Sequence, residues 1–298
     1  MDSKQMRQIL KVRNKGFSLV ELLIGMTITM IVVGAFINLI INQSNAYNDE
    51  SLRQEMFLTG RVALDEIQRE AMNAGTGLPG LFSSVQVMDG SAGEPDTVTF
   101  IYIPPVDITL KLEKSPAPAA QNFSLTDDSD INELVVGDHL IIWDETEFNI
   151  IEITNVFPNN PKVVFVPPVG VNTPAGLAHA YDPATTHIAR VAVYSITVDN
   201  DTDPDHPFLT KFRGGYPVGT IAYDIEDLQV TIIFADGDTA SVANDTDADD
   251  TNDAMDLRGV LATVTARSSR PVEDYQLSAD HYYRQEFTST VSPRNIIY

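Results

Sequence analysis

From Gly16 the chain reads Gly-Phe-Ser-Leu-Val-Glu, and Glu21 is the only charged residue between Lys15 and Asp49. A carboxylate near the centre of a membrane helix costs roughly 2.5 to 3.5 kcal/mol, so it needs a cationic partner. The apolar run around Glu21 supplies none, which places that partner on another chain. A second group of residues has the spacing of a cation site. Counting Asp245 as one, side-chain oxygens of Asp245, Asp247, Asp249, Thr251, Asp253 and Asp256 fall at the ligand positions of a calcium-binding EF-hand loop. The match departs from that loop at Asp250, where glycine is expected, and at Asp256, where glutamate is expected. No helices are expected to flank it, and an acidic surface run is more often simply solvated. A shorter alternation, Asp199, Asp201, Asp203 and Asp205, is broken by Pro204. If either run took calcium, the ion would order a loop that no disulfide can staple.

Other chemistries find little support. There is no cysteine, which excludes thiol catalysis, thiolate-bound zinc and iron-sulfur clusters. Histidines 139, 179, 187, 206 and 281 are scattered without metalloprotease spacing. No nucleophile elbow, phosphate-binding loop or dinucleotide-binding glycine pattern occurs, so the chain is read as a non-enzyme without a cofactor beyond possible calcium. Trp143, the sole tryptophan, lies in a strand-like run, where sheet packing is favoured over a sugar-stacking platform. The net charge of -23 opposes binding to nucleic acid or anionic headgroups.

The elements that must position these residues follow from hydropathy. Residues 17–41 are apolar apart from Glu21 and a few small polar residues, enough for about 37 Å of helix against a hydrocarbon core of about 30 Å. Lys4, Arg7, Lys11, Arg13 and Lys15 precede the run against only Asp2. That bias keeps the N-terminus cytoplasmic and sends the remainder outward. The run is too long for an ordinary secretory signal, and no small-x-small cleavage pattern follows it. No proline interrupts the chain between Phe17 and Pro79, so the helix is expected to continue to about Ala74. In its second half Leu52, Met56, Ala63, Ile67 and Ala71 recur at helical spacing, the pattern of a face packed on a soluble core. Gly75 and Gly77 provide the stop.

Beyond Pro79, short β-like runs alternate with Gly, Pro, Asn and Asp. Strands are expected at 97–103, 138–143, 148–153 and 162–166, and again at 188–198, 225–234, 260–266 and 282–291. Residues 114–120, with Pro116 and Pro118, read as an exposed, semi-extended linker. The expected organisation is a leader at 1–16, a membrane helix at 17–41 and its amphipathic continuation at 42–75. An inserted β-rich region at 76–185 and a C-terminal antiparallel β region at 186–298 with Asp-rich loops complete it. The fold class is therefore α+β, one long N-terminal helix on an antiparallel sheet with additional inserted β structure.

The junction Gly16-Phe17-Ser18-Leu19-Val20-Glu21, with its basic leader and apolar continuation, resembles the type IV prepilins and the pseudopilins of type II secretion. The resemblance implies a pilin-like fold, cleavage between Gly16 and Phe17 by a prepilin peptidase, and N-methylation of Phe17. It further implies that Glu21 meets the new amine of a neighbouring subunit. More weakly, residues 61–71, Asp227-Leu228-Gln229-Val230 and 287–295 resemble PilW-type minor pilins, although Pro293 stands where a residue able to extend the last strand is expected. Many relatives close a C-terminal loop with a disulfide, which this chain lacks. The implied function is a minor pilin held in the inner membrane with its C-terminal region outside the cytoplasm, then carried to the pilus or cell surface. Its partners would be the prepilin peptidase and other major and minor pilins, met through the N-terminal helix. A J-like type II secretion pseudopilin and a filament-displayed adhesin are the alternatives.

Overall fold

The computed structural model describes residues 18–79, 83–91, 93–105, 108–166, 176–241, 252–253, 256–272 and 278–293. A single helix, α1 (Leu19–Asn73), runs for 55 residues. From Leu19 to Ile41 every large apolar side chain is exposed, and the most apolar window has a mean hydropathy of 2.3 with none of it buried. A helix that is apolar all round suits a lipid surrounding and not water. Its two threonines turn their hydroxyls inward: Thr27 donates to the Leu23 carbonyl and Thr29 to the Gly25 carbonyl, each at 2.8 Å. No hydroxyl there is left to seek water.

From Leu52 onward the helix buries Leu52, Met56, Gly60, Ala63, Ile67, Glu70 and Ala71. These include all the apolar positions expected from the spacing, together with Gly60 and Glu70. The helix ends at Gly75 and Gly77, whose φ values of 80° and 74° lie in the left-handed region that favours glycine.

Among the described residues thirteen strands follow: β1 (Val85–Met88), β2 (Thr97–Tyr102), β3 (Asn122–Ser124), β4 (His139–Trp143), β5 (Phe148–Phe157), β6 (Lys162–Val166), β7 (His187–Asp199), β8 (Phe208–Arg213), β9 (Tyr216–Tyr223), β10 (Ile225–Phe234), β11 (Thr239–Ala240), β12 (Leu257–Arg267) and β13 (Arg284–Val291). Every ladder between them is antiparallel. One sheet runs β1-β2-β7-β4-β5-β6-β3 with β8 and β9 added beside β7, and the other runs β11-β10-β12-β13. The fold is α+β, a long apolar N-terminal helix with antiparallel sheets.

Strand β7 serves two neighbourhoods. Its residues 187–191 pair with β4, and residues 192–196 pair with β2 while 194–199 pair with β8. The core divides accordingly. The stripe of α1 packs with Val98, Ile196, Leu209, Leu228, Ile232, Val260 and Val264. Around β3–β6 a separate cluster gathers Leu140, Ile142, Ile151, Ile153, Phe165 and Tyr181. The opposite faces of β4 and β5 bury Ile141 and Ile150 against Ile101 and Val193. Burial on both faces explains why β4, after His139, is a continuous apolar run rather than an alternating one.

The hairpin β8–β9 was not anticipated from the sequence. Its turn, Gly214-Gly215, has φ of 55° and 85°, the backbone of a two-residue primed turn. Residues 114–120 are largely exposed, but Pro116 is buried and Ala119 donates to the Leu177 carbonyl at 2.9 Å.

Candidate assembly site on the N-terminal helix

Gly16 and Phe17, the residues of the expected cleavage, lie outside the described residues. Glu21 is described and stands in the first turn of α1. Its Oε2 accepts from the Ser18 backbone N–H at 3.3 Å. Ser18-Leu19-Val20-Glu21 thus has the form of a capping box, in which the acid satisfies one orphan donor and faces the positive end of the helix dipole. The signal S-x-x-E before an apolar run was present in the sequence, and it gives Glu21 a structural task besides pairing.

Glu21, Leu22, Gly25, Met26, Thr29, Met30 and Val33 line a shallow groove along one face of α1. Steps of three and four residues put them on that single face. The space beside Gly25 is open, since a Cβ built there would meet nothing within 4 Å. The arrangement offers a floor of small and flexible side chains for close helix approach, with a carboxylate at its N-terminal end.

The metal candidates fare differently. Asp245, Asp247, Asp249 and Thr251 lie outside the described residues, while Asp256 donates its N–H to the Asp253 carbonyl at 3.0 Å. Among the described residues no group of three or more His, Cys, Asp or Glu is placed to hold a metal ion. In the run 199–205, Asp199 accepts from Asp201 N, Thr202 N and Thr202 Oγ1 at 3.1, 2.9 and 2.8 Å. The loop is fastened by Arg267, which donates to the Pro204 and Asp205 carbonyls at 3.1 and 2.5 Å and to Glu226 at 3.1 Å.

Four histidines have defined roles in packing or pairing. His179 pairs with Asp144 at 2.7 Å and His206 with Asp224 at 2.8 Å. The latter bond raises the His206 pKa from its ordinary value. His187 stacks on Trp143 with ring centroids 5.3 Å apart, so Trp143 is a half-buried packing residue at the margin of a core cluster. His139 is buried, and burial foremost lowers its pKa.

Charged groups within the body join elements to one another. Lys211 bridges to Glu66 and Glu70. Asp138 lies 3.5 Å from Arg190 and 3.9 Å from Arg213, and Arg284 links Glu226 to Asp280. Each set ties together strands or helix and sheet, and each is distant in sequence from the junction at Gly16.

Against solved structures, the chain is similar to a type IV-like pilin from Thermus thermophilus at 10% identity, over 83% of this chain and 98% of that one, with a TM-score of 0.38. No curated protein matches the sequence. Residues 11–37, which hold Gly16, Phe17 and Glu21, match the family model described as the prokaryotic N-terminal methylation motif.

Proposed function

We propose that the chain is a PilW-type minor pilin, cut between Gly16 and Phe17 by a prepilin peptidase, N-methylated at Phe17, and assembled through α1 into a type IV pilus or its priming complex. The observation that carries this is the methylation motif over residues 11–37, set on a helix whose only acid in the apolar run is Glu21. Cleavage turns a peptide nitrogen into a cationic amine. Pairing that amine with Glu21 of an adjacent chain, in surroundings of low dielectric, relieves two charges that lipid solvates poorly. Assembly is thereby favoured over solitary residence in the inner membrane, and the groove beside Glu21 gives the adjoining helix a place to lie. The outward-facing body then travels with the filament to the cell surface.

Mass spectrometry of the N-terminus tests the reading. The mature chain should begin at methylated Phe17 and be recovered with sheared filaments. Glu21→Ala should leave cleavage intact and remove the chain from that fraction. A native chain still carrying residues 1–16 would overturn the proposal. Type II secretion pseudopilins share this N-terminal chemistry, so a correctly processed chain found only with a secretion complex would favour that role.

A further inference from the structure

β7 pairs with β4 over residues 187–191 and with β8 over residues 194–199. His139, the first residue of β4, is in register with Val191, and Arg213, the last of β8, with Tyr194, so the two strand ends meet at one junction. The His139 ring fills it. A Cβ placed on Gly214 would collide with the ring at Cε1 and come within 3.0 Å of both ring nitrogens. Only a residue without a side chain admits the ring there, and the φ of 55° at Gly214 favours glycine as well.

Few contacts hold residues 213–216 at this junction. The Gly214 N–H donates to the Val193 carbonyl at 3.0 Å. The Tyr216 ring lies beside Gly137, and Arg213, half exposed, reaches Asp138 only at 3.9 Å. His139 itself is 3% exposed. The Gly137 carbonyl accepts from one ring nitrogen, while Nε2 is buried and has no hydrogen-bond partner. A neutral ring leaves one acceptor unmet there. An imidazolium would carry both an unpaired N–H and a charge out of water, which is far more costly.

The charged and titratable groups around the ring leave it no ready counter-ion. Asp138 accepts from Val135 N at 3.1 Å and lies 3.5 Å from Arg190 of β7, besides its contact with Arg213 of β8. Glu152, opposite His139 on β5, is itself pushed toward its neutral form by burial. β9 contributes the Tyr216 phenol.

We propose that this junction is a proton-operated latch: a proton taken up at His139 Nε2 draws the Asp138 carboxylate away from Arg213, releases the turn at 213–216 from β4 and β7, and lets water reach the ring while both sheets stay folded. The Arg213 contact gives way first because it is the longer of the two that Asp138 makes and the more exposed. The closed latch favours the neutral ring, since burial foremost lowers the His139 pKa. The open latch binds the proton at the ordinary value of about 6.5. Opening is thus coupled to one proton, and the open fraction rises by up to about tenfold for each pH unit below that value, until the closed ring titrates too.

Hydrogen exchange of the full chain in detergent, corrected for the chemical exchange rate at each pH, tests the latch. Between about pH 7 and about pH 5 the protection of residues 211–216 should fall about tenfold or more, while β10 and β12 keep theirs. His139→Gln, a neutral side chain at every pH, should keep the segment protected throughout. Gly214→Ala should expose it throughout, and adding His139→Ala to that variant should restore protection. Exchange of the His139 imidazole C2 hydrogen reads the same proton in the unaltered chain, whatever the variants do to folding. Its midpoint should lie below the ordinary histidine value of about 6.5. Protection that is constant across this range, that falls equally in β10 and β12, or that falls as far in His139→Gln overturns the inference, as does an imidazole midpoint at or above the ordinary value.

Discussion

Lys211 on β8 holds its ammonium 2.7 Å from Glu70 and 2.9 Å from Glu66, carboxylates about one turn apart on α1. Glu70 is buried and also accepts from the Tyr102 hydroxyl at 3.1 Å, while the ammonium sits 4.0 Å from the Tyr194 ring centroid. Helix and sheet are thus joined by a desolvated ion pair as well as by apolar contact.

Removing one partner of such a pair is far more costly than removing both, because the survivor is left charged and buried. Lys211→Met should therefore lower the unfolding free energy by about 3 to 5 kcal/mol. Adding Glu70→Leu to that variant should recover a large part of the loss. Denaturant unfolding of the full chain in detergent reads both values, and equal stability of the single and double variants would refute the coupling.

Gly60→Ala should destabilise, against the ordinary trend. In an exposed helix interior this change gains up to about 1 kcal/mol. Here a Cβ would come within 2.3 Å of the Phe287 ring, so β13 must shift or the ring must turn, at a cost of about 1 to 3 kcal/mol. Melting temperature is the direct check, and pairing with Phe287→Ala should remove the penalty.

His139 predicts a loss of stability in mild acid. Burial first, then the Arg213 charge, lowers its pKa, while the Gly137 carbonyl and Asp138 act the other way. The folded state therefore binds fewer protons than the unfolded chain, so stability falls as pH drops below about 6.5. His206 runs oppositely, since Asp224 raises its pKa and favours the folded state until pH climbs past that raised value. His139→Gln should flatten the acid-side slope between about pH 5 and 6.5, and His206→Gln should remove the loss of stability that its own titration brings as pH rises above about 6.5.

Arg267→Met should expose the loop at 199–205 to protease, because the guanidinium is what its carbonyls grip. Calcium chelation should leave cleavage of that loop in the unaltered chain unchanged. Limited proteolysis followed by peptide mapping distinguishes the two. Protection that vanishes with chelator would assign the fastening to a metal instead.

The helix was legible because its evidence is repeated: no proline before Pro79, an apolar run, then Leu52, Met56, Ala63, Ile67 and Ala71 in step. Strands β2, β4 to β7, β10, β12 and β13 were legible as β-branched and aromatic runs. The hairpin β8–β9 escaped because Lys211, Arg213, Pro217 and Gly219 break the alternation; Pro217 and Gly219 suit the edge strand β9, while Lys211 is buried in β8 only through its ion pairs to α1. The site divides in the same way. Glu21 stood out as a lone charge in an apolar run, and its cap to Ser18 could have been read from S-x-x-E. The bond from Lys211 to Glu70 could not, since 141 positions separate them and each alone resembles a solvated surface charge.

Strand β7 gives the larger sheet a shared girder. Because the ladder to β4 and the ladders to β2 and β8 are built on one continuous length of backbone, the β3–β6 portion has no independent hinge along that strand. Melting should therefore proceed as a single cooperative event, and a pull on that portion should be resisted along the grain of β7 by several bonds loaded together.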